Sequence, residues 1–258
     1  MSAREDIAFL VGSEVRIDLL QRLRSAPARP SDLADRCSCA RETAQRTVSG
    51  FADRGWAEKV ADTDRYRLTH AGEMIAGSYA EFEERLDVAT RFRHLLENLD
   101  GPVDGLTCEL LAETARTRAT PENPHASVNR LLELMDREHI ATLRGMTPIV
   151  SRVFNQAAAG VIGPETDADL IVDRDVLDAS AAEYPEALER AEQLSGFTLY
   201  VSPEAVEFGL VLIDGHALLG AYDDQGNLVA SADSDEDPFV SWARDAFARV
   251  RERSSVRN

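Results

Sequence analysis

The apolar residues in the first part of the chain recur every three or four positions, which is the spacing of one helical face. They predict a helix over residues 7–23, in which Gly12 and Ser13 interrupt the pattern and indicate a bend. Two shorter segments with the same spacing follow, at residues 30–37 and 40–54. The spacing of apolar residues therefore predicts one helix, followed by two further helices that are joined by a tight turn.

Two short strands are predicted after the last of these helices. Gly55 is suited to the left-handed conformation that ends a helix. Residues 56–60 and 65–69 then alternate apolar and polar side chains around a polar turn, as a hairpin does. The succession of helix, Gly-Trp pair, hairpin and Leu-Thr-His-Ala-Gly at residues 68–72 resembles the winged helix-turn-helix of many archaeal and bacterial regulators. The resemblance implies double-stranded promoter DNA as the partner.

The second helix of this motif leaves several polar side chains outside the core formed by Ala44, Val48 and Phe51. Arg and Gln can bind guanine and adenine edges in a major groove, and Thr can bind a phosphate or a thymine methyl. The predicted DNA-binding residues of helix and hairpin are Arg41, Thr43, Gln45, Arg46, Lys59, Arg65 and Arg67. An ordinary helix with a solvated polar face would show the same pattern, so the helix alone is weak evidence.

Ala40 stands where members of this class often have a serine that caps the recognition helix. An alanine side chain cannot accept the backbone hydrogen bonds of the first turn. We therefore expect either that Ser38 provides the cap or that the start of the helix frays.

A broad apolar stripe from Thr69 to about Leu99 predicts one long helix, with Thr69 as its cap. Packing against its own domain would account for the stripe. The interpretation that we favour is a homodimer in which this helix places two winged domains on a two-fold-related DNA site.

Beyond a turn-rich boundary at residues 100–105, helices and strands alternate. The predicted strands cover residues 139–143, 170–172, 197–201, 206–213, 216–222 and 228–232. The predicted helices cover residues 107–118, the segment after Pro124, a segment that begins at Thr147 and Pro148, residues 175–194 with an interruption near Pro185, and the segment after Pro238. Asp214-Gly215 is a strong turn pair between two strands, and residues 231–237 predict a solvated acidic loop.

These patterns predict an α+β winged helix-turn-helix followed by an α/β domain, with a long linking helix between them. The winged domain covers residues 1–72, the linking or dimerisation helix residues 73–100, and the α/β sensor or effector domain residues 101–258.

The net charge of −18 lies entirely in the second part of the chain. Residues 1–80 carry 12 basic and 12 acidic side chains, whereas the remaining residues carry 16 and 34. The acidic part repels DNA, and the neutral, arginine-rich part can approach it. Because most DNA-binding domains are more basic, the alternative function is an adaptor that uses the winged domain to hold a protein partner.

Lysine occurs once, at Lys59, beside abundant Asp and Glu. This composition resembles that of proteins from salt-loving archaea, although an acidic bacterial protein would share it. At such salt concentrations the Debye length is roughly 3 Å, so the acidic side chains repel one another little. The sequence shows neither a membrane-spanning run nor a signal-peptide pattern, and we expect a cytoplasmic protein.

The three cysteines, Cys37, Cys39 and Cys108, lack the spacing of a disulfide framework. The Cys-x-Cys pair is too isolated for a zinc site, which needs four ligands. We expect thiols that fill small spaces, with a redox-sensing thiol as the alternative. The histidines also lack metal-ligand spacing and no glycine-rich phosphate motif occurs, so neither a metal nor a cofactor is predicted.

Over nearly its whole length the chain resembles archaeal two-domain regulators whose C-terminal domain is named for a methanogen regulator of filament formation and methane production. The similar segments are residues 9–16, 54–56, 68–72, 123–127 and 210–215. Haloarchaeal members of that family are numerous. Its C-terminal domain looks like the effector domain of TrmB-type sugar-sensing regulators, which has a phospholipase-D-like fold. The resemblance implies that this domain senses a small-molecule effector or supports oligomerisation.

A phospholipase-D-like fold raises the alternative of an enzyme. Those enzymes need a His-x-Lys motif followed by an Asp, with the histidine as the nucleophile on phosphorus. No His-x-Lys occurs in the chain, His216 has no partner lysine, and Lys59 lies in the wing. The sequence therefore predicts no catalytic residues and a protein that is not an enzyme.

Ligands of open α/β folds lie outside the carboxyl ends of the strands. That position predicts a pocket near Met146, Thr147 and Asp173, with Thr147 at a helix N-terminus suited to an anion. These three are the predicted ligand-binding residues of the second domain.

Overall fold

The computed structural model describes residues 2–99 and 103–257. The chain divides into two units, residues 1–86 (unit 1) and 87–258 (unit 2), and each has its own hydrophobic core. The predicted turn at residues 100–105 falls in part on 100–102, outside the described residues.

Unit 1 has the predicted order of helices followed by a hairpin. Its elements are α1 (Ala3–Val11), α2 (Glu14–Ser25), α3 (Pro30–Arg36), α4 (Arg41–Asp53), β1 (Ala57–Lys59), β2 (Tyr66–Leu68) and the first part of α5 (His70–Arg91). The strands β1 and β2 pair antiparallel, which forms the wing. The prediction of one bent helix over residues 7–23 is wrong, because Ser13 has extended backbone and separates α1 from α2.

Aromatic rings hold α4 in the core of unit 1. Phe51 is fully buried on α4, and its ring centroid lies 6.1 Å from that of Phe9 and 6.0 Å from that of Trp56. Such pairs contribute beyond the apolar area that they bury. Arg54 covers the exposed side of Phe9, with its guanidinium 3.6 Å from the ring centroid, and its Nε donates to Asp6 at 3.0 Å. The inward face of α4 is thereby fixed, and its opposite face is left to solvent.

Thr69 joins the end of α4, the wing and the start of α5. Its backbone N–H donates to the carbonyl of Trp56 at 2.9 Å, and its hydroxyl donates to the carbonyl of Gly55 at 2.6 Å. The same hydroxyl accepts from the N–H of Gly72 at 3.1 Å, which confirms Thr69 as the cap of α5. Gly55 has φ +72°, the left-handed conformation expected of it.

The predicted helix from Thr69 to Leu99 is not continuous. The helix α5 ends at Arg91, and α6 (Arg93–Glu97) follows after Phe92, whose ψ of 10° leaves the helical range. Phe92 and Leu95 are buried in the core of unit 2, so the chain turns there to bring both side chains inward.

Unit 2 contains a mixed eight-stranded sheet. In sheet order the strands are β10 (Ser255–Val256), β6 (Phe197–Ser202), β5 (Asp167–Asp173), β4 (Thr142–Met146), β7 (Gly209–Ile213), β8 (His216–Tyr222), β9 (Leu228–Ser234) and β3 (Ala115–Arg118). The adjacent strands β4, β5 and β6 are parallel, and the other pairings are antiparallel. Asp214 and Gly215 both have positive φ, which confirms the predicted hairpin turn.

Helices cover both faces of this sheet. They are α6, α7 (Cys108–Ala112), α8 (Ala126–Met135), α9 (Arg152–Val161), α10 (Arg174–Glu183), α11 (Pro185–Glu192) and α12 (Asp237–Arg253). Leu210 and Leu212 of β7 join the cluster formed with α6, α7 and α12. Val211 and Ile213 join the cluster formed with α8 and α9. The α+β winged domain followed by an α/β domain is therefore confirmed.

Several predicted bounds in unit 2 are wrong. The segment 107–118 is helical only in its first half and ends as the edge strand β3, while the strand predicted at 139–143 begins at Thr142. The short strand β10, which pairs with β6, was not predicted. The helix predicted at Thr147 begins instead at Arg152, where Ser151 provides the cap by accepting from the N–H of Phe154.

The predicted acidic loop at residues 231–237 is also wrong in its first half. β9 extends to Ser234, and the Asp233 side chain is only 1% exposed. Arg130 donates to this carboxylate at 2.6 Å, and His216 Nε2 lies 2.9 Å from it. The hydrogen bond from Arg130 to Asp233 raises the pKa of Arg130. A buried carboxylate with two partners is a structural group of the sheet rather than a solvated one.

We expect Gly72→Ala to lower the free energy of unfolding by about 1–3 kcal/mol, because overpacking forces the backbone apart. A Cβ at Gly72 would lie 1.9 Å from the carbonyl oxygen of Trp56. Denaturant unfolding followed by circular dichroism measures the change.

Gly77→Ala in the same helix is the matched control. Its nearest heavy atom, an Arg24 nitrogen, would be 3.6 Å from the new Cβ, which is ordinary contact. Alanine in a helix interior should then stabilise by about 0.5–1 kcal/mol. Equal unfolding free energies for the two variants would contradict the close contact at Trp56.

Candidate nucleic-acid interface

An open groove of about 770 Å³ lies between the exposed side of α4 and the wing. Four of the predicted DNA-binding residues line it, namely Arg41, Gln45, Arg46 and Lys59. All four are exposed, and Arg41 and Gln45 are four positions apart on α4, so they lie on one side of the helix. The structure thus brings three of the predicted helix residues and one of the predicted wing residues to one surface.

This groove has a local excess of positive charge. Its charged lining residues are Arg29, Arg41, Arg46, Lys59, Glu42 and Asp64, which are four cations and two carboxylates. Lys59 and Asp64 are 3.7 Å apart and well exposed, so solvent weakens their attraction. A region that is neutral in sequence therefore presents basic side chains together on one surface.

Three predicted residues lie outside the lining of this groove. Thr43 is half-buried on α4. The Arg65 guanidinium donates to the carbonyl of Pro27 at 3.3 Å, and Arg67 pairs with Glu58 across the wing at 2.6 Å. The exposed pair of Arg67 and Glu58 is held weakly and can exchange for a phosphate.

Arg29 also lines the groove, although it is not among the predicted residues. It precedes the first residue of α3, Pro30, and its backbone is extended at the N-cap position. The signal available in the sequence was an arginine directly before a helix-starting proline, at the entrance of the motif.

The start of α4 has no side-chain cap. Ala40 is the N-cap residue, and Ala44 N–H donates to its carbonyl at 3.0 Å, so the first turn is formed. Ser38 instead has φ +49° in the turn after α3, and the expectation that it caps α4 is wrong. The first-turn N–H groups of α4 are left available to an anion such as a DNA phosphate.

The predicted ligand residues of unit 2 do not meet in one pocket. Met146 is buried beside the loop after β6. The Thr147 hydroxyl bonds to the backbone of Ile149, and no helix begins there. Asp173 caps α10 by accepting from Val176 and also accepts from the N–H of Val206. The helix N-terminus expected at Thr147 is therefore wrong, and ligand binding by these three residues stays a prediction.

A different cavity of about 350 Å³ lies between β4–β6 and the helices α9–α11. Thr147 is at its edge, and its other walls are mostly aliphatic. Burial raises the pKa of Tyr222 to about 12, so this side chain near Thr147 is neutral. The sequence signal for this cavity was the alanine-rich, amphipathic pattern of α9 and α11, which predicts helices but not a space beneath them.

The described residues hold no group of three or more His, Cys, Asp or Glu side chains that could bind a metal ion. Burial is the largest cause that raises the pKa of Cys37, which keeps this thiol protonated and less reactive. None of the three cysteines, which all fall within the described ranges, is joined in a disulfide.

No helix among the described residues is both long and apolar enough to cross a membrane.

These features define a winged helix-turn-helix protein with an acidic α/β C-terminal domain. A family model described as "Methanogenesis regulatory protein FilR1, middle domain" matches residues 124–253, which is half of the chain. The chain belongs to this family. A second model, "HVO_A0261 N-terminal domain", matches residues 4–91.

Solved structures show only distant likeness. The archaeal chromatin protein TrmBL2 is 10% identical with a TM-score of 0.41, and the match covers 94% of each chain. HmgR from Pseudomonas aeruginosa is 12% identical with a TM-score of 0.27, covering 93% of this chain and 96% of that one. An IclR homolog from Microbacterium sp. strain HM58-2 is 14% identical with a TM-score of 0.26, covering 93% and 97%. No curated protein matches the chain at a significant level.

Proposed function

We propose that the chain is a DNA-binding transcriptional regulator whose helix α4 enters the major groove. The observation that supports this most is the groove that brings Arg41, Gln45, Arg46 and Lys59 together. Arg and Gln can form two hydrogen bonds each with guanine and adenine, and a wing lysine can contact the backbone. The family match to a regulatory protein fits the same function.

Base contacts matter more to this protein than general attraction to phosphate. Unit 1 has no basic excess, and a halophilic cytosol would screen charges beyond roughly 3 Å. Counterion release gains little at high salt. Specific binding then depends on hydrogen bonds from α4 and on the shape of the DNA.

We further propose that the protein is a homodimer formed through α5. Met74, Phe82 and Leu86 (the α5 stripe) are 63%, 55% and 51% exposed and lie at multiples of four positions. That spacing places them along one side of the helix. An apolar row of this kind on a surface helix favours a partner helix, and a second copy would present two α4 helices to a two-fold DNA site.

Unit 2 is proposed to sense a ligand or support assembly without catalysis. The one lysine of the chain is Lys59, so a phospholipase-D type His-x-Lys pair cannot form in unit 2. His216 is bonded to the buried carboxylate of Asp233, which occupies its Nε2 atom. The phospholipase-D-like fold that the resemblance implies for this domain is part of the same proposal.

We expect Arg41→Ala and Arg46→Ala each to weaken specific DNA binding by about 1–3 kcal/mol, since each removes one base contact. Arg4→Ala is the matched control, because Arg4 is exposed on α1 and does not line the groove. Fluorescence anisotropy with DNA from the protein's own promoter, at several potassium concentrations, measures the affinity.

Unchanged affinity in both groove variants would mean that α4 is not the recognition helix. If the wild type showed no sequence-specific binding at any salt concentration, the adaptor function would be favoured. Circular dichroism of each variant confirms that the winged domain remains folded.

We expect Phe82→Glu to dissociate the dimer, because it buries a charge in an apolar helix interface. Glu84→Lys also changes the charge at an exposed position of α5, but Glu84 lies two residues from Phe82 on the opposite side of the helix, so this variant should leave the dimer intact. Sedimentation velocity at micromolar concentration measures the mass. A monomeric wild type under these conditions would refute the α5 interface.

A further inference from the structure

The cavity beneath α9 and α11 has the features of a binding pocket for an apolar ligand. Its floor is the sheet, where Leu143, Leu170 and Leu199 face it from three adjacent parallel strands. Its roof is α9 and α11, which present Ala158 and Leu188 to the same space. The walls that the strands and helices supply are thus mostly aliphatic.

The two roof helices are loosely packed. Both are amphipathic, yet neither contains a fully buried residue. Protein interiors are normally packed to the density of organic crystals, so facing helices usually bury their apolar sides completely. An unfilled space of about 350 Å³ forfeits those contacts. A concave, mostly apolar space of this volume is of the size that small-molecule sites have.

Three polar side chains line this apolar space without a partner. Neither the Asn155 amide, the Ser180 hydroxyl nor the Arg190 guanidinium makes a hydrogen bond or ion pair within the described part of the chain. Arg190 is exposed, so it marks the opening of the cavity at α11. A few polar groups in an otherwise apolar pocket orient a ligand by its head group.

The volume limits the size of the ligand. An apolar cavity of about 150 Å³ holds a benzene-sized molecule. A space of about 350 Å³ is more than twice as large. It has room for an apolar body of roughly ten to fourteen carbon atoms.

We propose that unit 2 binds a small amphiphile in this cavity, with an aliphatic body between the sheet and α9–α11 and one anionic head group, such as a carboxylate, at Arg190. Asn155 and Ser180 provide further hydrogen-bond donors. The aliphatic body of the ligand fills the space beneath the loosely packed helices. Its anionic head group pairs with Arg190, the one unpaired cation of the lining. An effect of this ligand on DNA affinity rests on the proposed regulatory function, whereas its binding does not.

Isothermal titration of the full chain with decanoate, below its micelle concentration, tests the proposal. We expect saturable binding of one decanoate per chain. Ala158→Phe fills the space beneath α9 and should weaken binding at least tenfold. Ala182→Phe, at an exposed position of α10 that does not line the cavity, is the matched control and should bind as the wild type does.

The head group is tested separately. Arg190→Gln should weaken decanoate about tenfold, because a charge-assisted contact is lost, and should change the affinity for the uncharged 1-decanol less than twofold. Equal loss for both ligands would overturn the assigned role of Arg190.

Absence of saturable binding by the wild type, or full binding by Ala158→Phe, would overturn the site. Thermal unfolding checks that each variant folds, and Ala187→Phe on α11 replaces Ala158→Phe if the latter does not. Anisotropy with promoter DNA separates the two proposals. Decanoate binding without DNA binding would refute only the regulatory function, and DNA binding without decanoate binding would refute only this site.

Discussion

The close approach of Gly72 to the carbonyl of Trp56 is the contact on which the geometry of unit 1 depends. It lets the start of α5 pass directly over Trp56, three residues after the end of α4, where no side chain would fit. Thr69 then bonds to Gly55, Trp56 and Gly72 together. These hydrogen bonds connect the end of α4, the start of β1 and the end of β2. The recognition helix and Lys59 of the wing therefore keep a fixed separation. The groove between them is a consequence of that packing.

The fixed groove explains how a neutral domain can present a basic surface. Basic and acidic side chains balance over residues 1–80, but four cations and two carboxylates meet at the groove. Local placement decides the field that a DNA molecule meets, while net charge decides long-range attraction. In the proposed high-salt setting the long-range part is screened, and the placement of side chains on α4 remains effective.

Short-range pattern predicted much of this fold, since it depends on residues close together in sequence. The spacing of Ala44, Val48 and Phe51 indicated the inner face of α4, and Asp214-Gly215 indicated a tight hairpin. The helix-start roles expected of Ser38 and Thr147 were wrong. A cap position depends on the exact residue at which one element stops and the next begins. The spacing of apolar residues gives that boundary only to within a few residues. The grouping of Arg41, Gln45, Arg46 and Lys59 followed from the winged motif, whereas their actual DNA contacts stay a prediction.

Long-range pairing was beyond the sequence pattern. Asp233 looked solvated among acidic neighbours, but its partner Arg130 is 103 positions away. Arg29 joins the groove because Ala28, directly before it, pairs with Tyr66 of β2, which is 38 positions away. The cavity under α9 and α11 is a space between elements, and no spacing of residues within one helix reveals it.

The central claim is that α4 selects DNA sequences. Genome-wide mapping of bound sites, comparing cells that carry the wild type with cells that carry the double variant Arg41→Ala and Arg46→Ala, tests it most directly. The account predicts discrete sites that share a sequence in the wild type and are lost in the variant at equal protein level. An unchanged set of sites in the variant, or no enriched site for the wild type, would contradict it.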